Sequence, residues 1–158
     1  MLGEKTIEMI VYIWLYNKVH LFELDFASPI VWIVTALAYD FGYYVTHRIG
    51  HEWNFMWAAH QTHHSSEYYN LSTALRQSMW HKYTTFPAFM PMAILGLPPS
   101  QMLLHRELNL LYQFWVHTVQ IGKLWWPFEF IFNTPRQGFS ILLRDILTGG
   151  VLFASTKG

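Results

Sequence analysis

The sequence predicts an all-α protein, an integral membrane helical bundle with one histidine-rich polar region, and three observations point there. Apolar segments of helical length alternate with short breaks rich in proline or polar residues. Charged residues make up 13% of the 158, while hydrophobic residues reach 53% and aromatics 18%; a globular chain is usually about a quarter charged. Five of the nine histidines fall between His47 and His64. Formal net charge is zero at pH 7, so nothing electrostatic favours nucleic acid as a partner. Cysteine is absent, which removes disulfides, thiolate metal sites and iron–sulfur clusters.

Residues 6–22 are apolar as far as Tyr16 and then broken by Asn17, Lys18 and His20. That is short for a bilayer span of about 20 residues. It reads as a spanning helix ending at the interface, as the remainder of a longer one, or as a buried helix of a soluble fold. With the connector 21–28 it makes a first segment, 1–28. Pro29 suits a first helical turn and opens 29–46, the best candidate for a membrane helix, with the single charge Asp40. The polar stretch 47–82 carries Arg48, Arg76 and Lys82, against Lys18, Glu23 and Asp25 before Pro29. The positive-inside tendency then puts the histidines on the cytosolic side. Residues 83–97 are apolar but interrupted by Pro87 and Pro91, and Pro98-Pro99-Ser100 makes a firm break with Ser100 as a cap. A helix over 101–121 returns, so the pair reads as a kinked or re-entrant hairpin. Trp125, Trp126 and Pro127 read as an interfacial anchor before Asn133-Thr134-Pro135. The remainder, 136–158, holds no histidine and suits a short amphipathic helix ended by Gly149-Gly150.

The histidines come as His47-x3-His51 and His60-x2-His63-His64. An i, i+4 pair shares one helix face, so His47 and His51 can address one ion, as can His60 with His63 or His64. Imidazole suits zinc, copper, iron and nickel. A single catalytic zinc takes about three protein ligands, so five convergent histidines suggest two metals. Asp40 lies within about 40° of the His47–His51 line on a continuous helix. It reads either as a carboxylate that fixes the tautomer of a ligating imidazole, or as an interfacial cap or ion pair with Arg48. Downstream, His105, Asn109, Gln113 and His117 recur every four residues as a polar stripe. A hairpin would bring His117 back toward the first cluster, whereas His105 reads as part of a helix–helix hydrogen-bond seam.

A zincin peptidase needs Glu directly after the first His of its pair; here Glu52 follows the second, and position 55 is not His. No Cys and no G-x-S-x-G elbow support a nucleophilic hydrolase. Haem needs one or two axial ligands rather than clustered boxes, and a metal transporter would spread its ligands along a pore. What remains is a polynuclear histidine site beside apolar helices. With iron, its natural use is dioxygen activation to attack an unactivated C–H bond of a lipid, and zinc stays open.

HRIGH, HQTHH and the surrounding DFGYY…HE…MWAAHQTHHSSEYYNLSTALRQS, with LNLLYQFWVHT further on, resemble the fatty acid hydroxylase / sterol desaturase superfamily. Within it they most resemble the alkylglycerol monooxygenase branch. The likeness runs from about Met9 to Pro135. It implies a multi-pass endoplasmic reticulum membrane protein with a di-iron (Fe) site facing the cytosol and tetrahydrobiopterin as cofactor. O2 would hydroxylate the carbon beside the ether oxygen of an alkylglycerol, and the hemiacetal would fall apart to a fatty aldehyde and glycerol. The implied partners are that lipid, O2 and the bilayer. Carried over by position, His47, His51, His60, His63, His64 and His117 are iron ligands, and Glu52 is an acid at the site. His20 and His81 match no family ligand and read as surface or interfacial.

The departures carry an expectation of their own. The family has a third HxxHH box after NTP, where this chain has Arg136-Gln137-Gly138, and Tyr68 replaces a usually acidic residue. The chain is thus expected to be a fragment or alternative product: an incomplete hydroxylase-like domain at 29–135 followed by a divergent tail at 136–158. Alone it should bind iron incompletely and have little or no monooxygenase activity. Two other readings stay open: another superfamily member, such as a sterol desaturase or fatty acid hydroxylase, or a non-catalytic membrane protein that keeps the helices.

Overall fold

The computed structural model describes residues 2–66, 70–131 and 134–135. Every regular element among them is helical, in agreement with the expected all-α class. The helices are α1 (Leu2–Val19), α2 (Pro29–Glu52), α3 (Asn54–His64), α4 (His81–Thr85), α5 (Met90–Leu95), α6 (Pro99–Val116) and α7 (Trp126–Ile131). Short 3-10 helices lie at Leu71–Leu75 and Phe86–Phe89. Tyr68, Asn133 and the tail 136–158, with its expected amphipathic helix, lie outside the described residues. The chain divides into two compact units, Met1–His47 with Lys82–Asn109, and Arg48–His81 with Leu110–Gly158.

In the first unit the core gathers Tyr12, Tyr39, Phe89, Met92, Ala93, Leu97 and Met102. Tyr12 is fully buried, and its phenol donates to the Leu97 carbonyl at 3.0 Å, which satisfies the ring's one polar atom. Tyr39 stacks on Phe89 with centroids 4.9 Å apart, and α2 comes close enough at Gly42 that a Cβ there would stand 3.1 Å from the Phe89 ring. The prolines break 83–97 into the end of α4, a 3-10 helix and α5. Pro87 lies at the start of the second 3-10 helix and Pro91 in the first turn of α5, where a missing N–H leaves no bond unmade. α5 stops at Gly96, whose φ of 89° is left-handed, and the Leu97 N–H closes on the Met92 carbonyl at 3.0 Å. A Cβ at Gly96 would stand 2.0 Å from the Phe22 carbonyl oxygen, so the position needs glycine for its φ and for its contact.

Three details depart from the expected hairpin. α5 packs against α1 instead of lying along α6. α6 begins at Pro99, so Ser100 sits inside the first turn and not at the cap. It also ends at Val116, short of the expected 121. The His117 ring takes up the Gln113 carbonyl there, with Nδ1 at 2.6 Å, and a turn follows in which the Thr118 hydroxyl accepts the Gln120 N–H at 3.2 Å. The upper part of the polar stripe meets α2, where His105 makes a ring contact and its buried Nε2 has no hydrogen bond among the described residues. The Thr35 hydroxyl donates to Gln101 Oε1 at 2.8 Å, His105 meets Trp32 edge-on at 5.7 Å, and Asn109 Nδ2 donates to Asp40 at 3.5 Å.

No described helix is long and apolar enough to cross a membrane. Residues 29–46, expected as a span, form the first part of α2, and its last turns carry Arg48, His51 and Glu52.

Candidate metal centre

The second unit is built around a change of direction at Trp53. α2 ends at Glu52, Trp53 alone is extended (φ −108°, ψ 123°), and α3 starts at Asn54. One extended residue between two helices turns the HRIGH end of α2 toward the HQTHH face of α3. Gly50 lets them approach, because a Cβ there would stand 3.2 Å from Cγ of His60. The chain then passes into the 3-10 helix Leu71–Leu75, opened by a capping box in which Asn70 Oδ1 accepts the Ser72 N–H at 2.9 Å.

The imidazoles meet as follows. His51 stands edge-on to His60 and His64, with centroids 4.8 and 4.6 Å away. His60 and His64 bring their Nε2 atoms to 3.0 Å. One ring nitrogen from each of His51, His60 and His64 lies within 4.8 Å of the others, and His47 is one turn before His51 on α2. A second couple forms where α6 ends, with His117 Nε2 at 3.3 Å from His63 Nε2. Two nitrogens each about 2.0–2.1 Å from one tetrahedral ion stand about 3.3–3.4 Å apart, so both couples are near chelating separation. His60, His63 and His117 are buried.

The surroundings favour neutral rings with lone pairs to give. Burial lowers the His63 pKa to about 3, and the neighbouring His64 and His117 push the same way. At His63 and His117 the second nitrogen has a polar neighbour. The Gln113 carbonyl, which can only accept, fixes the His117 proton on Nδ1 and leaves Nε2 bare. The Gln77 side chain stands 3.3 Å from His63 Nδ1. In one amide orientation it donates; turned over, it accepts an Nδ1 proton and bares His63 Nε2 toward His117. Nitrogen donors of this kind suit iron, zinc, copper or nickel, and the donor set fits an imidazole-bound metal.

The two predicted acids lie elsewhere. Asp40 is exposed and accepts a hydrogen bond from Asn109 Nδ2 at 3.5 Å. Arg48 instead pairs with the exposed Glu52 at 2.8 Å. Sequence reasoning missed His81, read as surface: it is half-buried, stacks on His60 at 5.2 Å, and burial lowers its pKa. Gln77 was also missed, although its place just after the second box in HQTHHSSEYYNLSTALRQ was in view.

The profile of the fatty acid hydroxylase family matches residues 32–138. Alkylglycerol monooxygenase of Xenopus tropicalis is 53% identical over 131 residues, which cover 83% of this chain and 29% of that protein. The Homo sapiens alkylglycerol monooxygenase is 51% identical and that of Danio rerio 47%, over 131 residues and the same shares. The chain thus spans about 29% of the length of these curated relatives. No solved structure matches. With the match running through both histidine boxes and on past His117, the chain belongs to the fatty acid hydroxylase family.

Proposed function

We propose that this chain carries histidine ligands of an O2-dependent lipid monooxygenase acting on alkylglycerol ethers. The observation that carries the reading is the two imidazole couples, His60–His64 and His63–His117, at 3.0 and 3.3 Å between Nε2 atoms. The likeness to alkylglycerol monooxygenases supports the substrate class. His47, His51, His60 and His64 would hold one iron, and His63 with His117 would contribute to a second. Iron bound there would supply dioxygen activation, with one oxygen atom entering the C–H bond beside the ether oxygen and the other leaving as water. Tetrahydrobiopterin is the proposed source of the two electrons, and the hemiacetal product breaks to a fatty aldehyde and glycerol.

The chain's own residues have supporting parts. Gln113 holds the proton on His117 Nδ1, and Gln77 gives His63 Nδ1 a polar neighbour at 3.3 Å. Asp40, through Asn109, steadies the helix on which His117 follows. Glu52, paired with Arg48, closes α2 beside His51. A lipid substrate accords with the apolar stripe on α2, where Ile30, Leu37 and Phe41 are 72%, 64% and 68% exposed. We set this stripe against an endoplasmic reticulum bilayer, with the histidines on the cytosolic side. No histidine follows His117, so the second ion takes few imidazoles from this chain, and turnover by the chain alone is proposed to be slow.

The test loads the detergent-purified chain anaerobically with ferrous iron, then adds alkylglycerol, tetrahydrobiopterin and O2 and follows fatty aldehyde. Expected are fewer than two irons per chain and slow aldehyde formation that needs pterin and disappears in His63→Ala. Oxidation of a fatty acid or sterol without pterin would refute the substrate class. Rapid turnover at two irons per chain would refute the proposed incompleteness.

A further inference from the structure

His81 opens α4, and a short turn sets its position. The Ser78 hydroxyl accepts the Trp80 N–H at 3.2 Å, and the Ser78 carbonyl accepts the His81 N–H at 3.1 Å. From there the His81 ring lies nearly parallel to that of His60, with planes 29° apart and centroids 5.2 Å apart. The contacts of His60 with His51 and His64 are edge-on, at 74° and 61°. His60 itself is 2% exposed, and Gly50 of α2 closes on the root of its ring. The contact that His81 makes with this group is the face-on one with the His60 ring.

We propose that His81 is a positioning residue of the metal centre, holding the His60 imidazole by stacking across its face so that Nε2 stays directed at His64. The inference rests on the metal-centre reading above. The χ2 well of histidine is broad, so the swing of a ligating ring is narrowed by what packs against it. The backbone of α2 confines His60 near Cγ and Cδ2, the base and one edge of the ring. Trp57 and His63 also border the ring, at 6.3 and 5.6 Å, and His81 is the neighbour stacked most nearly parallel across its face, at 5.2 Å. A flat aromatic ring at position 81 should serve as well as imidazole, while a methyl group should not. Losing an orienting neighbour of a ligand typically costs about 10–100-fold in metal affinity.

The test titrates the full-length chain and its His81→Ala and His81→Phe variants with Co2+ alone, following the visible d–d bands, with circular dichroism as the check on folding. Expected is an affinity about tenfold weaker in His81→Ala, with altered band positions. His81→Phe should return both to near the wild-type values. Wild-type affinity and spectrum in a folded His81→Ala would overturn the proposal, as would equal loss in a folded His81→Phe, which would make His81 a nitrogen donor. A wild-type chain that binds no Co2+ would overturn the metal centre itself and this proposal with it.

Discussion

Replacing Gly50 by alanine sets two quantities of known size against each other. In the interior of a helix, alanine is favoured over glycine by about 0.8–1.0 kcal/mol, so α2 on its own gains. The new Cβ, however, would stand 3.2 Å from His60 Cγ, 3.4 Å from Cδ2 and 3.5 Å from Cβ. Restoring ordinary contact at 3.4 Å moves the ring root by at least 0.2 Å, and metal–ligand distances tolerate only about ±0.2 Å. His60 must recede along the direction that separates it from α2, which carries His51. The expected signature is opposite signs: the metal-free chain is unchanged or more stable by up to about 1 kcal/mol, while metal affinity falls about tenfold, or about 1.4 kcal/mol. Urea unfolding of the metal-free chain and Co2+ titration of the same preparation measure the two. Gly42→Ala is the control, since its Cβ would stand at a similar 3.1 Å from Phe89 and meet no histidine among its nearest atoms; it should leave the metal affinity alone. Undiminished affinity in Gly50→Ala would refute the close approach as the reason for glycine in the first box.

Three further outcomes follow from single contacts. Gly96→Ala should destabilise the chain by about 3 kcal/mol, because its φ of 89° is unfavourable for alanine and its Cβ would overlap the Phe22 carbonyl; a loss under about 1 kcal/mol in denaturant unfolding would refute this. Gln77→Leu removes the group beside His63 Nδ1 and should weaken metal binding about tenfold with little change in helix content, read by titration and circular dichroism. The metal-free chain should lose stability as pH falls. His63 has a folded pKa of about 3, below its unfolded value of 6.5, so its contribution is complete above pH 6.5 and is lost as the pH drops toward 3. Between pH 7.5 and 5 this amounts to about 2 kcal/mol, and His81, also lowered, acts in the same direction. Flat unfolding midpoints over that range would refute the burial of neutral His63.

The two histidine boxes were legible because helical spacing alone puts i and i+4 rings on one face, and α2 and α3 are helical through both boxes. The start of α2 at Pro29 and the interruption of 83–97 were legible for the same kind of reason, since proline constrains its own position. The single extended residue Trp53 was not: neither glycine nor proline adjoins it to mark a break between the helices, and it is this turn that opposes the boxes. His81 was not legible either. Its contact with His60 joins residues 21 apart across a 3-10 helix and a serine turn, and periodicity has no hold over such a distance. α6 stops short of the expected 121 where the His117 ring joins its own N–H on the Gln113 carbonyl and the Thr118 hydroxyl takes the Gln120 N–H, local hydrogen bonds that hydropathy does not register.

The placement of the acids bears on what kind of centre this is. Among the described residues, the group that could hold a metal is made of histidines with no carboxylate, and Asp40 and Glu52 are both exposed. Burying carboxylates without a metal would leave charges that need partners, whereas neutral imidazoles can be buried together at modest cost. The His63 pKa of about 3 is the sign that this cost falls on the protonated form. The cluster can therefore fold before it is loaded, with its lone pairs already converging. An ion entering such a site keeps its full positive charge, because no ligand neutralises it, and proton and metal compete for the same nitrogens. At His63 the proton competes poorly above about pH 3. The arrangement thus combines a site assembled before loading with an ion left electron-poor, and the second property is what an oxidising centre needs and a structural zinc site does not.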